Sequence, residues 1–173
     1  HYAKASGDEL SLEQAVKTYW NLVSLLDNPE KIGSNTIYEN YPVKGHAIPM
    51  IMVATTQELR EIVPDDRYQP VMKKYLGEIL WVHARDDVQA LLENVNSDGS
   101  MIPGPEGRCV NPGHAIESAW FCLREGQKLE DKNIIKRALE ILDWSLRLGW
   151  DEKYGGLFYF VDLANRPLDQ LEW

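Results

Sequence analysis

Apolar residues recur at helical spacing in five separate stretches of the chain, and this periodicity constrains the fold more than any other feature. The cleanest stretch is NIIKRALEILDWSLRLGW, where Ile134, Ile135, Ala138, Leu139, Ile141, Leu142 and Leu146 share one stripe. An amphipathic helix has to bury its stripe against another element, so a series of them calls for helix-on-helix packing. SLEQAVKTYWNLVSLL, Ser11 to Leu26, opens with a capping serine and stops before Asp27-Asn28-Pro29. HAIPMIMVATTQELREI, His46 to Ile62, is apolar nearly all round in its first half and predicts a helix buried on most sides, with Pro49 accommodated in the first turn. YQPVMKKYLGEILWVHA, from Tyr68, lines up Val71, Tyr75, Ile79 and Val82, and a further helix is predicted from about Pro112 to Glu125.

Between the third and fourth helices lies LLENVNSDGSMIPGPEGRCVNPG, rich in Gly, Pro, Asn and Asp and carrying an Asp-Gly turn signal. After the fifth comes DEKYGGLFYFVDLANRPLDQLEW, in which LFYFV, flanked by turn residues, predicts a short strand or hairpin-like segment near Leu157–Val161. The class is therefore all-α, with helix pairs joined by long loops, as in an α-toroid or a solenoid. Long loops inside a compact domain are commonly functional, and the aromatics in these speak against disorder.

With 44% hydrophobic and 26% charged residues in a chain of 173, the composition suits one soluble globular domain. A net charge of -9 argues against nucleic acid or an anionic membrane as partner, since both reward a basic face. Neither a transmembrane helix nor a signal peptide is expected, and a cytoplasmic location is. Cys109 and Cys122 form no CxxC and sit beside no histidine pair at zinc spacing, so reduced thiols are expected.

Against this background NPGHAIESAW, Asn111 to Trp120, stands out. Asn111 can cap a helix whose first turn holds Pro112, and His114 and Glu117 then fall at i and i+3 on one face. The helix dipole keeps a histidine near an N-terminus neutral while a carboxylate beside it favours the cation, a balance that suits a base. The same spacing equally describes a structural His–Glu hydrogen bond. His46 admits a ligand contact or a capping or packing role. His83, beside Arg85 and Asp86, reads as a solvated histidine at a helix C-terminus. Glu93 and Asn94, in the loop leading to Asp98-Gly99, suit either a ligand contact or a loop hydrogen bond. Trp120, Phe121 and Trp144 sit at helical spacing and read as core, whereas strand alternation sends Phe158 and Tyr159 to opposite sides, one of them available to stack on a ligand. No spacing of His, Cys, Asp and Glu marks a metal-ligand set.

NPGHAIESAWFCLR, WDEKYGGLFYFVD and RPLDQLEW, in that order, resemble the N-acylglucosamine 2-epimerase family, whose mammalian members were also called renin-binding proteins. KGHAIPMIMVATTQEL resembles the helix that precedes these motifs, so the similarity runs from about Leu10 to Trp173. The resemblance implies an (α/α)6 barrel of which this chain, 1–173, supplies about half, as the central part of a single catalytic domain. The parts N- and C-terminal to it would be missing, apolar helix faces would be left uncovered, and the chain alone would be inactive.

The resemblance further implies C2 epimerisation, interconverting N-acetylglucosamine and N-acetylmannosamine, a step toward sialic acid. The C2 proton becomes acidic once the ring has opened and the C1 aldehyde can hold the charge, and inversion needs a base on one face and an acid on the other. His114 matches one of two family histidines; the other lies beyond Trp173. Glu117 matches a carboxylate that orients His114 or holds a sugar hydroxyl. Glu93, Phe158, Tyr159, Glu172, Trp173 and His46 are the candidate substrate contacts. No metal or other cofactor is required, ATP is implied as an allosteric effector, and a homodimer is implied for the full-length protein. A sibling aldose isomerase or epimerase acting on mannose, glucose or cellobiose, and a non-catalytic protein-binding homologue, stand as alternatives.

Overall fold

The computed structural model describes residues 1–28, 31 and 43–166; the candidate contacts Glu172 and Trp173 lie outside these. The helices follow the periodic stretches, with their ends set by caps. After a short α1 (Tyr2–Ser6), the Asp8 carboxylate accepts from the backbone N–H of Leu10 and Ser11 at 3.1 and 3.3 Å, starting α2 (Glu9–Leu26) slightly ahead of the serine expected to cap it. α3 (Ala47–Arg60) buries Met50, Met52, Val53, Thr56, Gln57 and Leu59, but Ile48 and Ile51 of its apolar first half are exposed, so among the described residues the helix is covered on one side and not on most sides.

The third predicted helix divides into α4 (Tyr68–Glu78) and a single π-helical turn, Ile79–His83. A π-turn rotates the residues that follow it relative to a straight α-helix. Here it carries His83 inward, where the reading of His83 as a solvated histidine fails: the side chain is fully buried, with Nδ1 2.9 Å from the Leu92 carbonyl oxygen. Arg137 fixes this turn from the other side, donating to the carbonyl oxygens of Leu80 and Ala84 at 3.0 and 2.9 Å.

α6 (Pro112–Leu129) and α7 (Lys132–Gly149), joined by two residues, form a helical hairpin. Glu130 turns the chain in the left-handed region at φ 54°, and the Asp131 carboxylate caps α7 by accepting from Asn133 and Ile134. Two glycines let the helices meet at both ends of the hairpin. A Cβ on Gly126 would lie 2.9 Å from side-chain carbons of Ile134 and Ile135, and one on Gly149 only 2.4 Å from Cβ of Pro112. Gln57 of α3 joins this unit by donating to the Phe121 carbonyl oxygen at 2.9 Å, and Arg60 by pairing with the buried Glu125.

Among the described residues, three two-stranded antiparallel ladders organise the long loops. β1 (Val43–Gly45) pairs with β4 (Asn94–Asn96), β2 (Ala84–Arg85) with β3 (Ala90–Leu91), and β5 (Cys109–Val110), which follows the one-turn α5 (Pro105–Arg108), with β6 (Val161–Asp162). The strand expected near Leu157–Val161 is realised in two pieces, a Trp150–Leu157 bridge and the β6 pairing. The main core spans α2, α3, α4, α6 and α7, from Tyr19 to Trp144. A second, smaller core of Ala90, Leu92, Val95 and Val110 lies under the loops. Ile48, Ile51, Leu139 and Leu146 are exposed apolar side chains on α3 and α7. Cys109 and Cys122 are buried free thiols, and burial, helped by Glu125, pushes Cys122 up to about 12. No helix among the described residues is long and apolar enough to cross a membrane.

Candidate active site

The first turn of α6 is built by its cap. Asn111, 2% exposed, accepts from the His114 backbone N–H through Oδ1 at 3.0 Å, which fixes the direction in which His114 leaves the helix. Pro112 at the first helical position needs no acceptor for a backbone N–H, as its place in the sequence suggested.

The carboxylate that His114 meets is Glu93, 21 residues upstream, with both oxygens 3.2 Å from Nδ1. Glu117, read from its spacing as a possible partner, is exposed and makes no hydrogen bond to His114 among the described residues. The i, i+3 positions share a helix face, but a side chain reaching across from the β3–β4 connection competes better for a ring already turned toward the loop. Glu93 is held there at its backbone too, because its carbonyl oxygen accepts from the His46 N–H at 2.8 Å. Burial alone would raise the Glu93 carboxyl, but the imidazoles of His46 and His114 outweigh it, and the net shift is downward. Glu93 is therefore a carboxylate at neutral pH, and the ring nitrogen facing it carries a proton.

Beneath this pair lie two more histidines. His46 is fully buried; its Nε2 is 2.8 Å from Ser118 Oγ, and its Nδ1 lies 3.8 Å from a Glu93 oxygen, too far for a hydrogen bond. It occupies the residue before α3 but makes no side-chain cap there. The His83 ring sits 5.5 Å from that of His46, centroid to centroid. Burial, then the neighbouring His46 imidazole, lowers His83 to about 4, so it is neutral and donates through Nδ1 to Leu92. The histidines that look scattered in the sequence are thus gathered, and donor atoms of His46, Glu93 and His114 all fall within 4.8 Å of one another.

His114 also lines a cavity of about 700 Å³. Glu117 and Trp120 continue the same wall along α6, while Phe158 and Tyr159 face them from the segment after the Gly155-Gly156 turn. Phe158 and Tyr159 both reach the cavity, not one of them, because Leu157 bridges to Trp150 while the pairing resumes only at β6, so regular alternation does not apply between them. Trp120 departs from its expected core role: it is 59% exposed on the cavity wall, whereas Phe121 and Trp144 are buried. Adjacent helical residues point about 100° apart, so Trp120 and Phe121 do not share a face. The aromatic segment is anchored where Arg108 donates to the Asp162 carboxylate at 3.1 and 3.2 Å. That pairing holds Asp162 below the usual carboxylate range.

A family model described as N-acylglucosamine 2-epimerase (GlcNAc 2-epimerase) matches residues 2–173. The chain belongs to the N-acylglucosamine 2-epimerase family. It is 31% identical over 177 residues to the N-acylglucosamine 2-epimerase of Rattus norvegicus, covering 98% of this chain and 41% of the relative. With the Homo sapiens protein of the same name it shares 36% over 133 residues, 73% of this chain and 30% of that one. The chain thus spans about two-fifths of the length of the curated relatives it matches. Among solved structures, a sugar epimerase from a ruminal bacterium superimposes with a TM-score of 0.71 at 19% identity, over 95% of this chain and 45% of that one. D-mannose isomerase does so with a TM-score of 0.63 at 19% identity, over 72% and 34%. These likenesses establish the fold, an (α/α)6 toroid of which the chain forms a part.

Two contacts of the site leave little trace in the sequence. Ser118 is one turn beyond His114, and that spacing could have placed it below the histidine; nothing local linked it to His46, 72 residues away. The Glu93–His114 pair likewise spans a turn-rich loop whose path no periodicity encodes.

Proposed function

We propose that the chain contributes the sugar cavity and one proton-transfer residue, His114, to an epimerase that interconverts N-acetylglucosamine and N-acetylmannosamine through proton abstraction and return at C2. The observation that carries the proposal is the Glu93–His114 pair at the cavity wall, set in a chain of this family. With Nδ1 donating to Glu93, a neutral ring keeps its lone pair on Nε2, the requirement for a base. In the open-chain sugar, that lone pair takes the C2 proton, the C–H electrons form the C1–C2 double bond, and the aldehyde oxygen becomes an enolate. The imidazolium formed is stabilised by the adjacent Glu93 carboxylate, whose ionised state its environment favours.

Inversion follows when an acid on the opposite face returns a proton to C2, the role that the family resemblance gives to a second histidine. Glu117, exposed on the same wall, is suited to hold a sugar hydroxyl, and the faces of Trp120, Phe158 and Tyr159 suit the C–H surfaces of the sugar. The steps move protons only and need no redox cofactor. Running the full-length protein with N-acetylglucosamine in heavy water tests the mechanism: deuterium is expected at C2 of the N-acetylmannosamine formed. Product without C2 deuterium would refute proton exchange and point to a hydride route.

A further inference from the structure

The donor cluster beneath the cavity has a property that proton transfer at His114 does not explain. His46 Nδ1 is fully buried and finds no hydrogen-bond partner among the described residues, yet it is aimed at Glu93 across 3.8 Å. Orphaned buried ring nitrogens are uncommon because each forfeits a hydrogen bond that water would have made. We propose that His46 Nδ1, a Glu93 oxygen and His114 Nδ1 form a Zn²⁺ site, and that occupying it silences His114 as a base.

Geometry and chemistry support the assignment together. Zinc bonds of about 2.0–2.1 Å to nitrogen and oxygen set the edges of a tetrahedron at about 3.3 Å. From Glu93 Oε1 the separations, 3.2 Å to His114 Nδ1 and 3.8 Å to His46 Nδ1, come within about half an ångström of that edge, and the third edge, between the two ring nitrogens, lies within 4.8 Å, so the two rings would have to draw together around the ion. Two imidazoles and one carboxylate suit zinc, whereas magnesium and calcium call for oxygen-rich sets. Metal-bound histidines characteristically donate their other N–H to a fixed partner, and Ser118 Oγ, 2.8 Å from His46 Nε2, stands ready to accept it. The set offers three ligands and leaves a fourth position toward the cavity that His114 lines, so a bound ion would be exchangeable through it. The silencing follows from the tautomer. A neutral imidazole that ligates through Nδ1 carries its proton on Nε2, so the lone pair assigned to the C2 proton is gone.

The site itself does not depend on the epimerase reading; only the silencing does, and the experiment separates them. Full-length protein stripped of metal, with His1→Ser removing the exposed imidazole that pairs with Glu58, is titrated with Zn²⁺ by calorimetry and with Co²⁺ by visible absorption. Saturable binding of one ion per chain, with the intense bands of tetrahedral Co²⁺, is expected. Glu93→Gln and His46→Asn should each weaken Zn²⁺ by about 100-fold or more, and Ser118→Ala by about 10- to 100-fold, in variants whose circular dichroism shows them folded. Because Ser118→Ala alters only the outer partner and is the mildest change, it keeps the test valid if His46→Asn fails to fold. Zn²⁺ affinity in Glu93→Gln and Ser118→Ala unchanged from that of the parent protein, or no saturable binding, overturns the site. Zn²⁺ is also expected to inhibit turnover in step with occupancy and to be reversed by chelator; undiminished turnover at saturation overturns the silencing while the binding data stand.

Discussion

His83 offers the most quantitative link between this fold and a measurement. Its ring is fully buried and titrates at about 4 instead of 6.5, because burial, reinforced by His46, penalises the charged form. As pH falls, the unfolded chain takes up this proton first, so the native state holds its full stability above pH 6.5 and loses it progressively down to pH 4. Integrating between those two values leaves a loss of about 3 kcal/mol at pH 4. His83→Asn isolates the effect. Its amide can still donate to the Leu92 carbonyl oxygen, as Nδ1 does at 2.9 Å, but cannot titrate. The smaller side chain costs stability, yet by the same amount at every pH. Unfolding free energies of both proteins, measured in denaturant from pH 7.5 to 4, should therefore converge by about 3 kcal/mol, or about 6 to 12 °C in melting temperature for a domain of this size. Parallel curves over that range would mean that His83 titrates alike folded and unfolded, and would refute its placement under Leu92.

Three further expectations concern the site and its support. His114→Asn in the full-length protein should lower kcat by about 10²- to 10⁴-fold with the fold retained, as for loss of a general base; a folded variant with normal kcat removes His114 from the mechanism. Glu93→Gln should lower kcat by about 10- to 100-fold, because a neutral amide no longer stabilises the imidazolium, whereas Glu117→Gln should act mainly on KM if it holds a hydroxyl; steady-state kinetics on the pair decides which carboxylate serves the histidine. Gly149→Ala should destabilise by about 1 to 3 kcal/mol, since its Cβ would stand 2.4 Å from Pro112 at the start of the helix that carries His114; an unchanged melting temperature would show that the hairpin can open there.

Helices were legible because their signals are local. The stripe of α7 and the Asn111 cap with Pro112 behind it are each written within one or two turns of chain, and the folded protein realises them within a few residues of where periodicity places them. The family motif singled out His114 by the same local route. What Glu93, His46, Ser118 and His83 do was decided elsewhere. The π-turn at Ile79–His83 rotates His83 inward, the β1–β4 pairing brings His46 against Glu93, and α6 presents His114 and Ser118 to both. Each of these contacts joins segments separated by loops, and loop paths are set by which pairings and small cores close best in three dimensions. Side-chain spacing along a helix determines which residues share a face; only the packing of the other elements determines which of them finds a partner there, and that is why His114 turns to Glu93 and leaves Glu117 to the cavity.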